Sequence, residues 1–118
     1  MIDNYKYKLP NDFPAKLLDS AKSLKQLGIL DVAWNWENAI MVIEFLSEYN
    51  YAILGGDVYR LNSGNLESTY DSWYQNKDMT KPRGQFIDET KSKAISYINQ
   101  YHESNGDDFY YSVVFEKM

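Results

Sequence analysis

Catalysis needs side chains that can hold a proton, a metal or a nucleophile in place, and this chain offers few such sets. It has one histidine, His102, and no cysteine. A Ser-His or Cys-His pair would therefore rest on a single imidazole. His102 lies near the end of a helical stretch, where a basic group suits the negative end of the helix dipole. Carboxylates are the other candidates, 17 in all. Asp57 and Asp71 fall on neighbouring expected strands, but the expected register turns them to opposite faces, which makes them poor partners for shared acid–base work. Gly55-Gly56-Asp57 lacks both glycine-rich phosphate patterns and leads into a strand rather than a helix. Asp107-Asp108 beside Glu103 departs from the calcium-loop pattern. No catalytic set, metal site or cofactor is expected.

Groups suited to recognition are more plentiful. Aromatic residues make up 16% of the chain, with 11 tyrosines and three tryptophans. Tyr and Trp combine large contact area with a polar handle, and they also fill cores. Trp34 and Trp36 flank Asn35 at the entry to a helix. Two tryptophans one residue apart cannot point the same way, so one is expected in the core and one partly exposed beside Glu37, as an interface anchor. The formal net charge is −5. That disfavours direct nucleic-acid binding, which wants a basic footprint, and favours steering toward a basic partner.

These groups hang on Ile53-Leu54-Gly55-Gly56-Asp57-Val58-Tyr59, the best strand in the chain. Two glycines in mid-strand mark a bulge or the close approach of another backbone, and Asp is depleted in strands. The motif reads as glycines for close packing, with Asp57 as either a surface contact or a structural cap.

The remaining elements follow from pattern. At 118 residues the chain is one domain, 1–118, able to bury roughly two-thirds of its unfolded surface. The first ten residues read as an irregular lead-in without a signal peptide. No apolar run reaches the roughly 20 residues needed to span a membrane. Phe13, Leu17, Ala21 and Leu24 recur at helical spacing, so a first helix is expected from an Asn11 or Asp12 cap to a left-handed Gly28. Leu30 to Trp34 fits both a short extended segment and the start of the next helix. Asn35 caps a second helix, apolar nearly all round, with Glu37 in its first turn. Strands over about 51–61 and 66–75 join at Ser63-Gly64. That turn pairs Leu61 with Leu66, Arg60 with Glu67, Val58 with Thr69 and Leu54 with Trp73. A third helix over about 86–103 stops at Asn105-Gly106, and a final strand runs from Phe109 to Phe115. The expected fold is α+β: three helices with a small three-stranded antiparallel sheet, ordered helix-helix-strand-strand-helix-strand, the glycine strand in the centre.

Gly28-Ile29, Val32-Ala33, Glu37-Asn38-Ala39-Ile40, Ile53 to Tyr59 and Thr69-Tyr70-Asp71-Ser72-Trp73-Tyr74 occur in that order. In this the chain resembles the bacterial polymorphic-toxin immunity proteins of family 40, which carry a strand ending in Gly-Gly-Asp-Val-Tyr and a downstream Trp-Tyr pair. The resemblance covers roughly residues 28–75. It implies a cytoplasmic, non-enzymatic protein that neutralises a cognate toxin, with a basic nuclease domain as one candidate, by occluding its active site in contact-dependent competition. The residues expected to bind the partner are Asp57, Tyr59, Tyr70 and Tyr74 as a sheet-surface patch, then Trp34 and Glu37. Gly55, Gly56 and Trp73 form the structural motif. The rival expectation is a small enzyme or ligand-binding domain using carboxylates near Asp57; a deep polar pocket there would mark it.

Overall fold

A computed structural model gives the structure of residues 9–118. The expected lead-in over the first eight residues lies outside the described residues. Among the described residues there are three helices: α1 (Ala15–Ser20), α2 (Trp36–Glu48) and α3 (Arg83–Asn105). The strands are β1 (Lys22–Ser23), β2 (Val32–Asn35), β3 (Tyr51–Asn62), β4 (Asn65–Tyr74), β5 (Phe109–Tyr111) and β6 (Val114–Lys117). They form one six-stranded antiparallel sheet in the order β1-β2-β5-β3-β4, with β6 also paired to β3. The three-stranded sheet and its simple element order are therefore overturned.

Two local events account for the extra strands. The first helix ends early because Ala21 is extended (φ −69°, ψ 140°). Lys22 and Ser23 then pair with Ala33 and Val32, and a short 3-10 turn, Lys25–Leu27, closes on Gly28 at φ 75°. Leu17 and Leu24 are both buried, as helical spacing demands, but in different clusters. Periodicity reported burial correctly and the element wrongly. At the other end, Ser112 and Val113 interrupt the expected final strand. The Ser112 hydroxyl accepts from Asp57 N at 3.0 Å, and Ser112 N donates to Asp57 O at 3.0 Å. A side chain thus replaces a backbone acceptor, and the strand splits into β5 and β6.

The sheet is covered on both faces over part of its area. Val32 and Trp34 on β2, Val58 on β3 and Tyr111 on β5 belong to the main core with Val42, Ile43 and Ile98 of the helices. Ala33, Tyr59 and Tyr110 alternate with them and belong to a second cluster around Leu24 and Leu66. Successive strand residues face opposite sides, so α2 and α3 cover one face and the segment around Leu24 covers part of the other. Fully burying a leucine such as Leu24 contributes about 2 kcal/mol. The Asn35 cap forms as expected, its side chain accepting from Asn38 N at 3.0 Å. A buried Thr90 fastens α3 to the sheet: its hydroxyl accepts from Ile53 N and donates to Ile87 O, both at 2.9 Å.

The β3–β4 hairpin keeps the expected register only near its turn. Ser63 (φ 53°) and Gly64 (φ 85°) are both left-handed, as a two-residue primed turn requires, and Leu61–Leu66 and Arg60–Glu67 are opposed. Beyond a bulge the pairing slips by two residues. Gly56 then faces Trp73, Asp57 faces Ser72 and Gly55 faces Tyr74, in place of the expected Leu54–Trp73 and Val58–Thr69 pairs.

Candidate partner-binding surface

The glycine pair is held between close neighbours. A Cβ on Gly56 would lie 2.0 Å from the Ser112 carbonyl oxygen and 2.5 Å from the Trp73 ring. One on Gly55 (φ 150°) would lie 2.3 Å from the Trp73 carbonyl oxygen. Trp73 points to the helix side and stacks on Tyr97 of α3, centroids 5.0 Å apart. By alternation, Asp57, Ser72 and Tyr74 point to the opposite, outer face.

On that outer face the expected residues divide. Asp57 and Tyr74 are exposed, Tyr74 by 77%. Tyr70 stands at the bulge, 93% exposed, with φ 66°. Tyr59 shares the outer face but is 3% exposed beneath the Leu24 segment. Burial first, then the Asp57 and Asp31 carboxylates, push its phenol up, and a hydrogen bond with Ser112 works the other way. Asp31 and Asp57 are therefore both near one hydroxyl and give this border of the sheet its negative charge.

The other two expected contacts lie elsewhere. Trp34 is fully buried, and its indole N–H donates to the Leu17 carbonyl at 2.6 Å. It has no surface to offer a partner, because alternation on β2 turns it into the main core. Trp36 is the partly exposed member of the pair. Its ring stacks on His102 at 3.8 Å and 6°, and its N–H donates to Asn99 at 2.7 Å. Glu37 is exposed in the first turn of α2, on the helix side of the sheet. Asp57, Tyr70 and Tyr74 are thus exposed on the β3–β4 hairpin, and Glu37 lies apart on α2.

Sequence reasoning missed Ser112, the Trp36–His102 stack and the network around the bulge. There Ser68 Oγ accepts from Tyr70 N (3.1 Å), Thr69 Oγ1 accepts from Asp71 N (3.1 Å) and donates to Val58 O (2.8 Å), and Tyr101 Oη donates to Asp71 Oδ2 (2.7 Å). Ser, Thr and Asp within four residues of a strand are the readable signal, because their side chains bond neighbouring backbone and compete with the ladder.

A polar cleft of about 830 Å³ lies between the loop after β4 and α3, lined by Gln75, Asp78, Lys81, Gln85, Glu89 and Lys93 among others. Lys81 and Glu89 are ion-paired there. Asp57 is outside this cleft, on the sheet face. Among the described residues no group of three or more His, Asp or Glu could hold a metal ion, and no helix is long and apolar enough to cross a membrane.

Fold and surface define a small α+β domain with one sheet face packed by helices and the other half open, presenting exposed tyrosines beside carboxylates. A model of the immunity protein 40 family matches residues 23–115, and the chain belongs to that family. The match takes in the glycine strand, the bulge, α3 and most of the C-terminal strands. No curated protein and no solved structure is a significant match to the chain. Family membership gives the chain an immunity-protein role, with a cognate toxin as its partner.

Proposed function

We propose that the chain neutralises its toxin by occlusion, laying the outer face of the β3–β4 hairpin over the toxin's active site or substrate groove. The observation that carries this reading is the pair Tyr70 and Tyr74, 93% and 77% exposed on a hairpin of fixed register. A tyrosine buries about 150–250 Å² when covered, and a few aromatic anchors dominate most interfaces. Asp57, exposed across the hairpin, adds negative charge, and the net charge of −5 speeds approach to a basic groove such as that of a nuclease. A chain without cysteine suits a reducing compartment such as the cytoplasm.

The test uses the purified domain of the cognate toxin. Asp57→Asn and Tyr74→Ala are each expected to weaken its affinity about tenfold or more, with melting temperatures close to the parent's. Loss of affinity in Glu37→Gln, with none in Asp57→Asn or Tyr74→Ala, would move the interface to the helix side and overturn the reading.

A further inference from the structure

We infer that the β4 bulge is a preorganised anchor: Tyr101 of α3, acting through Asp71 and Thr69, holds Tyr70 in the pose that enters a basic-rimmed pocket on the toxin. This rests on the proposed toxin-binding surface and specifies how that surface works.

Between the pairs Asp57–Ser72 and Tyr59–Ser68, β3 contains one residue and β4 contains three. The two extra residues push Tyr70 out of the ladder at φ 66°. Glycine enters this region freely, but L-residues other than asparagine and aspartate avoid it. The Tyr70 side chain gains nothing from its own fold, because it is 93% exposed. A glycine would serve the backbone better. Bulges re-aim side chains next to functional sites, and strain held by surrounding structure is a mark of such sites.

The residues on either side of Tyr70 are all tied down. Ser68 receives the Tyr70 amide, and Thr69 receives the Asp71 amide while donating to the Val58 carbonyl. The Tyr101 hydroxyl donates to Asp71 and also meets Thr69. Tyr101 is itself fixed by edge-on packing against Phe109 and Tyr111, at 5.3 and 6.1 Å between centroids. The core of the domain therefore reaches the anchor through one phenol. Holding the anchor in its bound pose beforehand removes ordering cost on association. The protruding shape demands a concave partner. Asp71 adjoins the anchor and Asp57 is exposed close by across the bulge, so the pocket's rim carries positive charge.

A double-mutant cycle against the purified cognate toxin domain tests this, with the full chain. Tyr70→Ala is expected to weaken affinity about 30-fold or more. Tyr101→Phe, which removes only the hydroxyl, is expected to weaken it about three- to tenfold, mainly in the dissociation rate. In the Tyr70→Ala background Tyr101→Phe should have no further effect. Thr69→Val should behave like Tyr101→Phe, and Thr69→Ser should restore affinity. Unchanged affinity in Tyr101→Phe, or a loss that persists in full without Tyr70, overturns the anchor mechanism alone. Unchanged affinity in Tyr70→Ala, Asp57→Asn and Tyr74→Ala together overturns the toxin-binding surface beneath it.

Discussion

Gly56 and Trp73 occupy directly opposed positions on β3 and β4, and the indole ring lies over the glycine. The flat ring fills the space a side chain would take, and Tyr97 of α3 stacks on it. The same glycine passes under the Ser112 carbonyl, where the C-terminal strand splits. Three elements converge on a residue with no side chain.

Gly56→Ala is therefore expected to destabilise the fold by about 3 kcal/mol, at the upper end of overpacking costs, because one of the two clashing neighbours is backbone. Chemical denaturation measures this. A denaturation midpoint like the parent's would show that the sheet and Trp73 can yield.

Trp34 gives a contrasting case. Trp34→Phe removes the buried indole donor, while the Leu17 carbonyl keeps the Ser20 hydroxyl at 3.0 Å. The expected loss is about 0.5–1.5 kcal/mol from the hydrogen bond plus the cost of the cavity left by the smaller ring, with toxin affinity unchanged. Reduced affinity without lost stability would contradict its place in the core.

Thr90→Val is nearly isosteric and isolates one hydrogen-bond pair. The buried Ile53 amide loses its acceptor, which costs about 1–3 kcal/mol. Hydrogen exchange at the Ile53 amide should speed up by a corresponding factor. Unaltered protection there would rule out Thr90 as the clasp between α3 and β3.

Stability should fall in alkali. Burial, as the largest cause, raises the phenols of Tyr59, Tyr97, Tyr101 and Tyr111 above the ordinary value of 10.0. Above that pH the unfolded chain loses these protons and the folded chain keeps them, so the unfolded state binds fewer protons and stability drops as pH rises. This contribution is fully present below pH 10 and is lost as pH climbs through the raised folded values. Tyr111→Phe should flatten the decline. Titration of all 11 tyrosines near pH 10 in the folded protein would contradict it.

The sequence was most legible where one local interaction decides the outcome. Asn35 caps α2, Ser63-Gly64 makes the hairpin turn, and Gly28 takes a left-handed conformation. It was least legible where distant partners decide. Leu24 keeps helical spacing with Leu17, yet it is buried on the opposite face of the sheet, because Ala21 is extended and β1 pairs with β2. The C-terminal strand breaks where Ser112 meets Asp57, 55 positions away in the chain. Of the residues expected to meet a partner, Asp57, Tyr70 and Tyr74 are exposed on the β3–β4 hairpin, while Trp34 and Tyr59 are covered by packing that no local pattern specifies. The bulge that displays Tyr70 shifted every pairing beyond it.

Tyr70→Gly separates display from folding most directly. Glycine relieves the left-handed backbone at φ 66°, a conformation costing other residues roughly 1–2 kcal/mol, and this is partly offset by the greater freedom of glycine in the unfolded chain. The expected result is a melting temperature equal to or above the parent's, with affinity for the cognate toxin domain weakened about 30-fold or more. A lower melting temperature with unchanged affinity would mean that Tyr70 serves the fold and that the toxin binds elsewhere.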